Sequence, residues 1–416
     1  MNNYFYLNSC TSYGEIVKNW FILGIVVWAC LLALTCTAFA TNWDALPTYT
    51  YTGSTWSGLH SFIDTYGTGT YLVGSMSTTS STFYVDQNYV RIKGTVGFPA
   101  DGDYMIGAGI YTVPSRIVDY SGAGKFTTSK TSGNAIDISG TGVVLENMEI
   151  LNSRGSSSTA NCLYVHSAQP ELHNVRIRNG AGNAILAENT HDLITDRVYV
   201  SNLWSDLGVT GIGTGVKLVN SNTDPRFNDI TVCYGYCGYN LTGSSGLISN
   251  TMQCYDANYP TIIDPASNGA CDDMTFRIAV FDVGYRGSNA EGLWMGWQNS
   301  NTIDNIQIYN IWAYGHASGV SIGHGTNIGI YGGGISSDNY AMYLYQGVNP
   351  ITIQGINIIS SGHNYYALTL NNPGSATLLG NEFDSSLAAY LTGTYYFGGN
   401  LGTGSIQGTV SWSHFN

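Results

Sequence analysis

Four segments in the C-terminal half of the chain align without gaps: Gly292 to Asn299 (GLWMGWQN), Gly319 to Thr326 (GVSIGHGT), Ala341 to Val348 (AMYLYQGV) and Ala367 to Gly374 (ALTLNNPG). A fifth, Ala388 to Thr394, fits less closely. Each carries two apolar residues one apart, followed by a short polar or glycine turn, and the four recur every 22 to 27 residues. That period is too short for a domain and suits one coil of a solenoid, whose copies stack at about 4.8 Å and share a continuous apolar column. Leu293, Val320, Met342 and Leu368 are expected to form that column.

Earlier coils are less regular. Cys162-Leu163-Tyr164-Val165-His166, Ala184-Ile185-Leu186-Ala187-Glu188 and Gly215-Val216-Lys217-Leu218-Val219 align with the later strands. Each is followed after a turn by a second strand: Val175-Arg176-Ile177, Val198-Tyr199-Val200 and Ile230-Thr231-Val232. Alternation places Leu163, Val165, Ile185, Ala187, Val216 and Leu218 inside, and Tyr164, His166, Glu188 and Lys217 outside. Asn152, Asn179 and Asn202 fall at one point after the second strand on successive coils, where stacked amides would form a ladder. Gly58 to Asp64 is an amphipathic pattern suited to a capping helix, followed by Gly69 to Val73 as a first strand and Tyr89 to Gly94 as a later one.

A solenoid evades the usual size limit on a single core, because each coil touches only its neighbours, so one elongated domain is expected over 416 residues. Charged residues make up only 10%, with 52 Gly, 31 Tyr and 9 Pro, a β-rich and turn-rich balance. The net charge of −13, with no Lys or Arg after Arg286, excludes a nucleic-acid partner that would need a basic stripe.

Phe21 to Ala40 is almost wholly apolar and uncharged, and at 1.5 Å per residue would reach about 30 Å as a helix. Ala38-Phe39-Ala40 fits a cleavage site. The long, weakly charged stretch before the apolar run suits a retained membrane anchor instead. Both readings export everything after Trp43. Residues 1–43 are read as signal peptide or anchor, 44–130 as cap and first coils, 131–400 as the β-helix and 401–416 as a C-terminal cap or tail. Of the cysteines beyond that segment, Cys233 and Cys237 are close enough to bridge a turn, although buried thiols stacked as small apolar residues are an equal alternative. No second cysteine pair accompanies them to make a metal centre, and no cofactor is implied.

With these coils and this cap the chain resembles the right-handed parallel β-helix, or pectate-lyase-like, superfamily of polysaccharide lyases, some glycosidases and viral tailspikes. The resemblance covers about Trp56 to Phe397. It implies an all-β right-handed solenoid, here with an N-terminal hydrophobic helix, and leaves the chemistry open.

The polygalacturonase branch of the superfamily uses an Asn-Thr-Asp, an Asp-Asp, a Gly-His-Gly and an Arg-Ile-Lys in that order. Asn222-Thr223-Asp224, Asp272-Asp273 and Gly323-His324-Gly325 match the first three, but roughly two coils separate each, too far for carboxylates sharing one glycosidic bond. The only Arg-Ile-Lys, Arg91-Ile92-Lys93, lies upstream. A lyase needs a base and a cation that neutralises a uronate. Tyr164, His166, Glu188 and Lys217 offer both kinds of group, and equally fit a solvated face with salt bridges.

The aromatic residues of the later coils point elsewhere. Trp294, Tyr343 and Tyr345 are expected outside, Trp297 and His324 at the adjacent turn, with Gly296 and Gly323 leaving floor between them. Flat rings beside small residues suit the apolar faces of sugars, or a neighbouring subunit, or packing beneath a loop. The function expected is therefore that of an exported structural or adhesive β-helix, on a cell or a virion. It would engage glycans or form a homo-oligomer, with a polysaccharide lyase, in preference to a hydrolase, as the alternative.

Overall fold

A computed structural model describes residues 45–95, 124–154, 158–178, 182–201, 213–220, 222–233, 235–265, 270–284, 288–297, 302–362, 365–384, 387–402, 406–407 and 410–415. From Pro47 onward these form a parallel β-solenoid of about 11 turns. Residues 1–44, with the apolar run Phe21 to Ala40, lie outside the described residues. Among the described residues no helix is long and apolar enough to cross a membrane.

Each coil contributes a front strand and a following strand. The front strands Asn161–Val165, Asn183–Glu188, Thr214–Val219, Cys237–Leu241, Tyr259–Ile263, Glu291–Met295, Ser318–Gly325 and Tyr340–Val348 pair in parallel, each with the next. The register runs Leu163, Ile185, Val216, Tyr239, Thr261, Leu293, Val320, Met342, Leu368. All of these side chains are buried, so the expected column holds and extends through Tyr239, whose hydroxyl lies 2.8 Å from the Gln253 carbonyl. A phenol is tolerated there because its one polar atom has a partner.

Helix α1 (Trp56–Tyr66) closes the N-terminal end. Thr55 caps it, its side chain accepting from the Gly58 amide at 3.2 Å, and Gly67 at φ 71° ends it, where a side chain would be strained. Trp56, Leu59 and Ile63, at helical spacing, are its buried face. Trp56 packs its ring on Phe126 at 4.2 Å and on Phe83 at 5.1 Å, covering apolar surface that an open stack would expose. Gly69–Val73 proves to be second in the stack, because Thr48–Tyr51 pairs with it from the other side.

The corner before the following strand is built on left-handed residues. Tyr89, Gly142, Gln169, Asp192, Asp224, Gly246, Asp273, Asn305 and Asn327 have φ between 52° and 70° and fall at equivalent register positions on successive coils. Asn, Asp and Gly dominate because they tolerate this conformation best.

Of the expected asparagine ladder, Asn179 and Asn202 lie outside the described residues; the buried Asn152 donates to Ser158 Oγ at 2.8 Å. Amide ladders occur elsewhere: Asn183 to Asn161 to Asn134, each at 2.8 Å, and Asn174 to Asn147 at 2.7 Å. Cys233 and Cys237 are not bridged. Both are buried thiols outside any disulfide, which corrects the expected bridge, and Cys162, Cys254 and Cys271 are buried thiols too.

Candidate functional site

Tyr84, Asp137, Tyr164, Leu186, Lys217, Asn240, Ile262, Trp294, Ser321, Tyr343, Thr369 and Tyr390 occupy one register position on successive front strands. They form a single lateral file, one residue per coil, opposite in parity to the buried column. The two groups singled out in the sequence, Tyr164 with Lys217 and Trp294 with Tyr343, are therefore parts of one face. Five coil steps, or about 24 Å, separate Tyr164 from Trp294.

In the later coils aromatic rings gather on this face. Trp297 stacks on Tyr343 (centroids 5.9 Å apart, planes at 27°) and meets Tyr345 at 5.8 Å. Tyr345 is 37% exposed. Trp294 belongs to an adjoining group, 6.0 Å from Tyr259, which in turn meets Tyr236 at 5.5 Å. Toward the C-terminus Tyr340 packs against Tyr343 and Tyr365, and Tyr366 against Tyr390. The aromatic belt is thus broader than the sequence suggested. Tyr259 and Tyr340 begin their strands, and a tyrosine recurring two places before the residue of the internal column, Thr261 and Met342, was the signal that could have found them.

The glycines do not leave open floor. A Cβ on Gly323 would lie 2.4 Å from the Gly296 carbonyl oxygen and 3.0 Å from Trp297 Cδ2, and one on Gly296 would lie 2.5 Å from the His324 carbonyl oxygen. They let neighbouring coils and the indole close up. His324 belongs to the strand Ser318–Gly325 rather than to a turn, and its Nδ1 meets the Gly296 carbonyl. Trp297 Nε1, shielded from solvent, has no acceptor among the described residues.

Glu291 is a site residue the sequence reading missed. It opens the strand Glu291–Met295 and is partly buried there. At the corner its carboxylate accepts from Ser318 Oγ at 3.2 Å. Burial pushes its pKa up, against the opposing hydrogen bonds from Ser318 and Ser321. The equivalent positions on the coils before and after hold Tyr259 and Ser318. No second carboxylate stands directly above or below it to form a hydrolytic pair there.

Farther up the face, the Tyr164 hydroxyl donates to Glu188 Oε2 at 2.8 Å, and its ring stacks on His166 with centroids 4.6 Å apart. His166 Nε2 lies 2.7 Å from Asp137 Oδ1, and Asn220 donates to the other Glu188 oxygen. Lys217 stands between Leu186 and Asn240 in the file. Burial, then the bond to Glu188, pushes the Tyr164 phenol up to about 12, the wrong direction for a base acting near neutrality. These contacts describe a paired polar surface. Arg176, Arg178 and Arg197 sit on following strands. Arg178 pairs with the buried Glu149 at 3.4 Å, Arg197 with Asp196 at 3.7 Å, and Arg176 lies over the Tyr199 ring at 5.4 Å.

The polygalacturonase-like motifs separate as the spacing implies. Asp224 and Asp273 stand two coils apart, with Gly246 between them.

No protein-family model matches the chain, and no curated protein matches it. Among solved structures it is similar to the A-module of a mannuronan C-5 epimerase from Azotobacter vinelandii, at 11% identity over 84% of this chain and 95% of that one, TM-score 0.47. It is also similar to a mutant tailspike protein of an E. coli bacteriophage in complex with a pentasaccharide, at 11% over 83% of this chain and 62% of that one, TM-score 0.46. A third is the catalytic domain of an α-1,3-glucanase in complex with nigerose, at 12% over 88% and 67%, TM-score 0.39. The likeness is one of fold. The parallel solenoid agrees with the pectate-lyase-like resemblance read from the sequence.

Proposed function

We propose that the aromatic face of the later coils is a binding surface for uncharged glycans. The observation that carries the reading is the cluster of Trp297, Tyr343 and Tyr345, with Trp294 beside it on the same file. Stacked rings held by parallel strands present apolar faces at little cost in lost side-chain freedom. The Trp297 indole N–H has no acceptor among the described residues, and a sugar oxygen reaching the ring edge would supply one after a small shift of the ring. Charge narrows the class. No Lys or Arg follows Arg286, so no permanent cation in these coils would neutralise a uronate.

We further place the chain outside the cell or on a virion, held there by residues 21–40 and acting as an adhesive or structural β-helix, alone or as a homo-oligomer. The apolar length of that segment supports the export, and the low charge density is compatible with an exposed surface. Sequencing the N-terminus of native material is expected to find residues 21–40 still attached. Thr41 as the first residue would make the protein freely secreted.

The binding reading is tested by titrating immobilised neutral polysaccharides and polyuronates with the full chain. Neutral chains are expected to bind, and Trp297→Ala or Tyr345→Ala to weaken binding by about tenfold, the scale of one or two ring contacts. Unchanged affinity in both variants overturns it, as does turnover of a polysaccharide that disappears on changing His166 or Lys217.

A further inference from the structure

We propose a second carbohydrate site, for a neutral mono- or disaccharide, in the cavity between helix α1 and the strand Phe83–Val85. It is independent of the aromatic face, standing seven coil steps, or about 34 Å, from Trp294. The cavity is an open groove of about 410 Å³, and small-ligand sites begin at roughly 300 Å³.

Its lining is rich in hydroxyl groups. Ser57, Ser77, Thr78 and Ser81 all line it and are exposed, so their hydroxyls are open to a ligand. Each can both donate and accept, which is what a ring of sugar hydroxyls requires. Tyr84, 51% exposed, supplies a flat ring at the mouth, and Trp56 forms a rigid wall, its Nε1 donating to the Ser77 carbonyl at 3.1 Å. His60 also lines the cavity, its Nδ1 lying 3.1 Å from the Tyr84 carbonyl oxygen. Its Nε2 faces Asp64 Oδ2 at 3.5 Å, so both nitrogens are engaged by the chain and the ring serves as a fixed wall.

The charge pattern sets the class of ligand. No Lys or Arg lines the cavity, whereas Asp64 and Asp86 gather beside His60. Phosphates, sulfates and uronates would meet carboxylates with no cation to offset them. An uncharged polyol carries no charge for them to repel and meets the hydroxyls and aromatic carbon of the lining.

The experiment is calorimetric titration of the full chain with the methyl glycosides of glucose, galactose, mannose and glucuronic acid. At least one neutral glycoside is expected to bind and the glucuronide not to. Ser81→Trp, which fills the cavity, and Tyr84→Ala, which removes the exposed ring, should each lower the association constant by about tenfold or more. Trp297→Ala should leave it unchanged. Tyr84 is half-exposed, so its variant carries the test even where the bulkier Ser81 replacement fails to fold. The proposal is overturned by no binding of any neutral glycoside, by a preference for the glucuronide, by full binding in Tyr84→Ala, or by loss of binding in Trp297→Ala. The last result would move the site to the aromatic face, and failure of polysaccharide binding there would leave this site standing.

Discussion

Glu291 keeps a carboxyl group where burial opposes its charge, and the pH dependence of stability should record it. Its folded-state pKa is raised above the ordinary carboxylate value, so the folded chain holds that proton to higher pH than the unfolded chain does. The contribution is therefore favourable below the unfolded pKa and is lost as pH rises through the folded one. Glu291→Gln, which keeps the shape and the bond to Ser318, should raise the melting temperature at pH 7 and give no advantage at pH 4. A variant that is less stable at pH 7 would show that the ionised form is the favoured one. The five cysteines of the coils behave alike at this scale. Burial raises every thiol, Cys233 and Cys271 to about 12, so little thiolate forms near neutrality. Alkylation of the native protein followed by peptide mass spectrometry should leave all five unmodified, and labelling should require denaturant. Ready labelling of Cys233 would place it at the surface.

At the level of strands and corners, the bend inside the following strand rests on Asn147 and Asn174, both with φ near 52° and joined by their side-chain amides. Asn174→Val loses that bond and forces a β-branched residue into a left-handed conformation, at a cost of about 2–3 kcal/mol. Asn174→Gly should cost less, because only the amide is lost. Equal losses in urea unfolding would mean that the backbone there is unstrained. The same corner explains what the sequence disclosed. Alternation along each strand and recurrence from coil to coil fixed inside and outside correctly for Leu163, Ile185, Val216, Leu293 and Val320, since both follow from a two-residue period. The ladder positions were not legible, because an asparagine after a strand and one within a bend look alike until φ is known. Glu291 escaped for a related reason. It stands at the strand's first residue, where alternation no longer sorts inside from outside, and only the structure shows its carboxylate meeting Ser318 and Ser321. The glycines at 296 and 323 were legible as small residues but not as contacts, because the atoms that crowd them come from the next coil.

On the scale of the whole solenoid, stability passes from coil to coil through neighbours alone, so damage at one rung should spread. Val320 lies fully buried between Leu293 and Met342. Val320→Asp places an unpaired charge in that column and should cost about 3–5 kcal/mol, measured as a fall in the urea midpoint. Because the parallel pairing reaches far on both sides, the variant should also become open to proteolysis within the coils around residue 320. A variant that melts like the parent would show that the register is wrong.

The lateral file from Tyr84 to Tyr390 advances by one residue per coil, so the molecule carries a graduated ruler along its flank. The graduations differ in chemistry, from Asp137 and Lys217 at one end to Trp294 and Tyr343 at the other, so a polymer laid along such a scale meets a different side chain at each step. A bound chain should therefore hold one alignment, set by where its repeats meet the rings, and lengthening it beyond the aromatic rungs should add little.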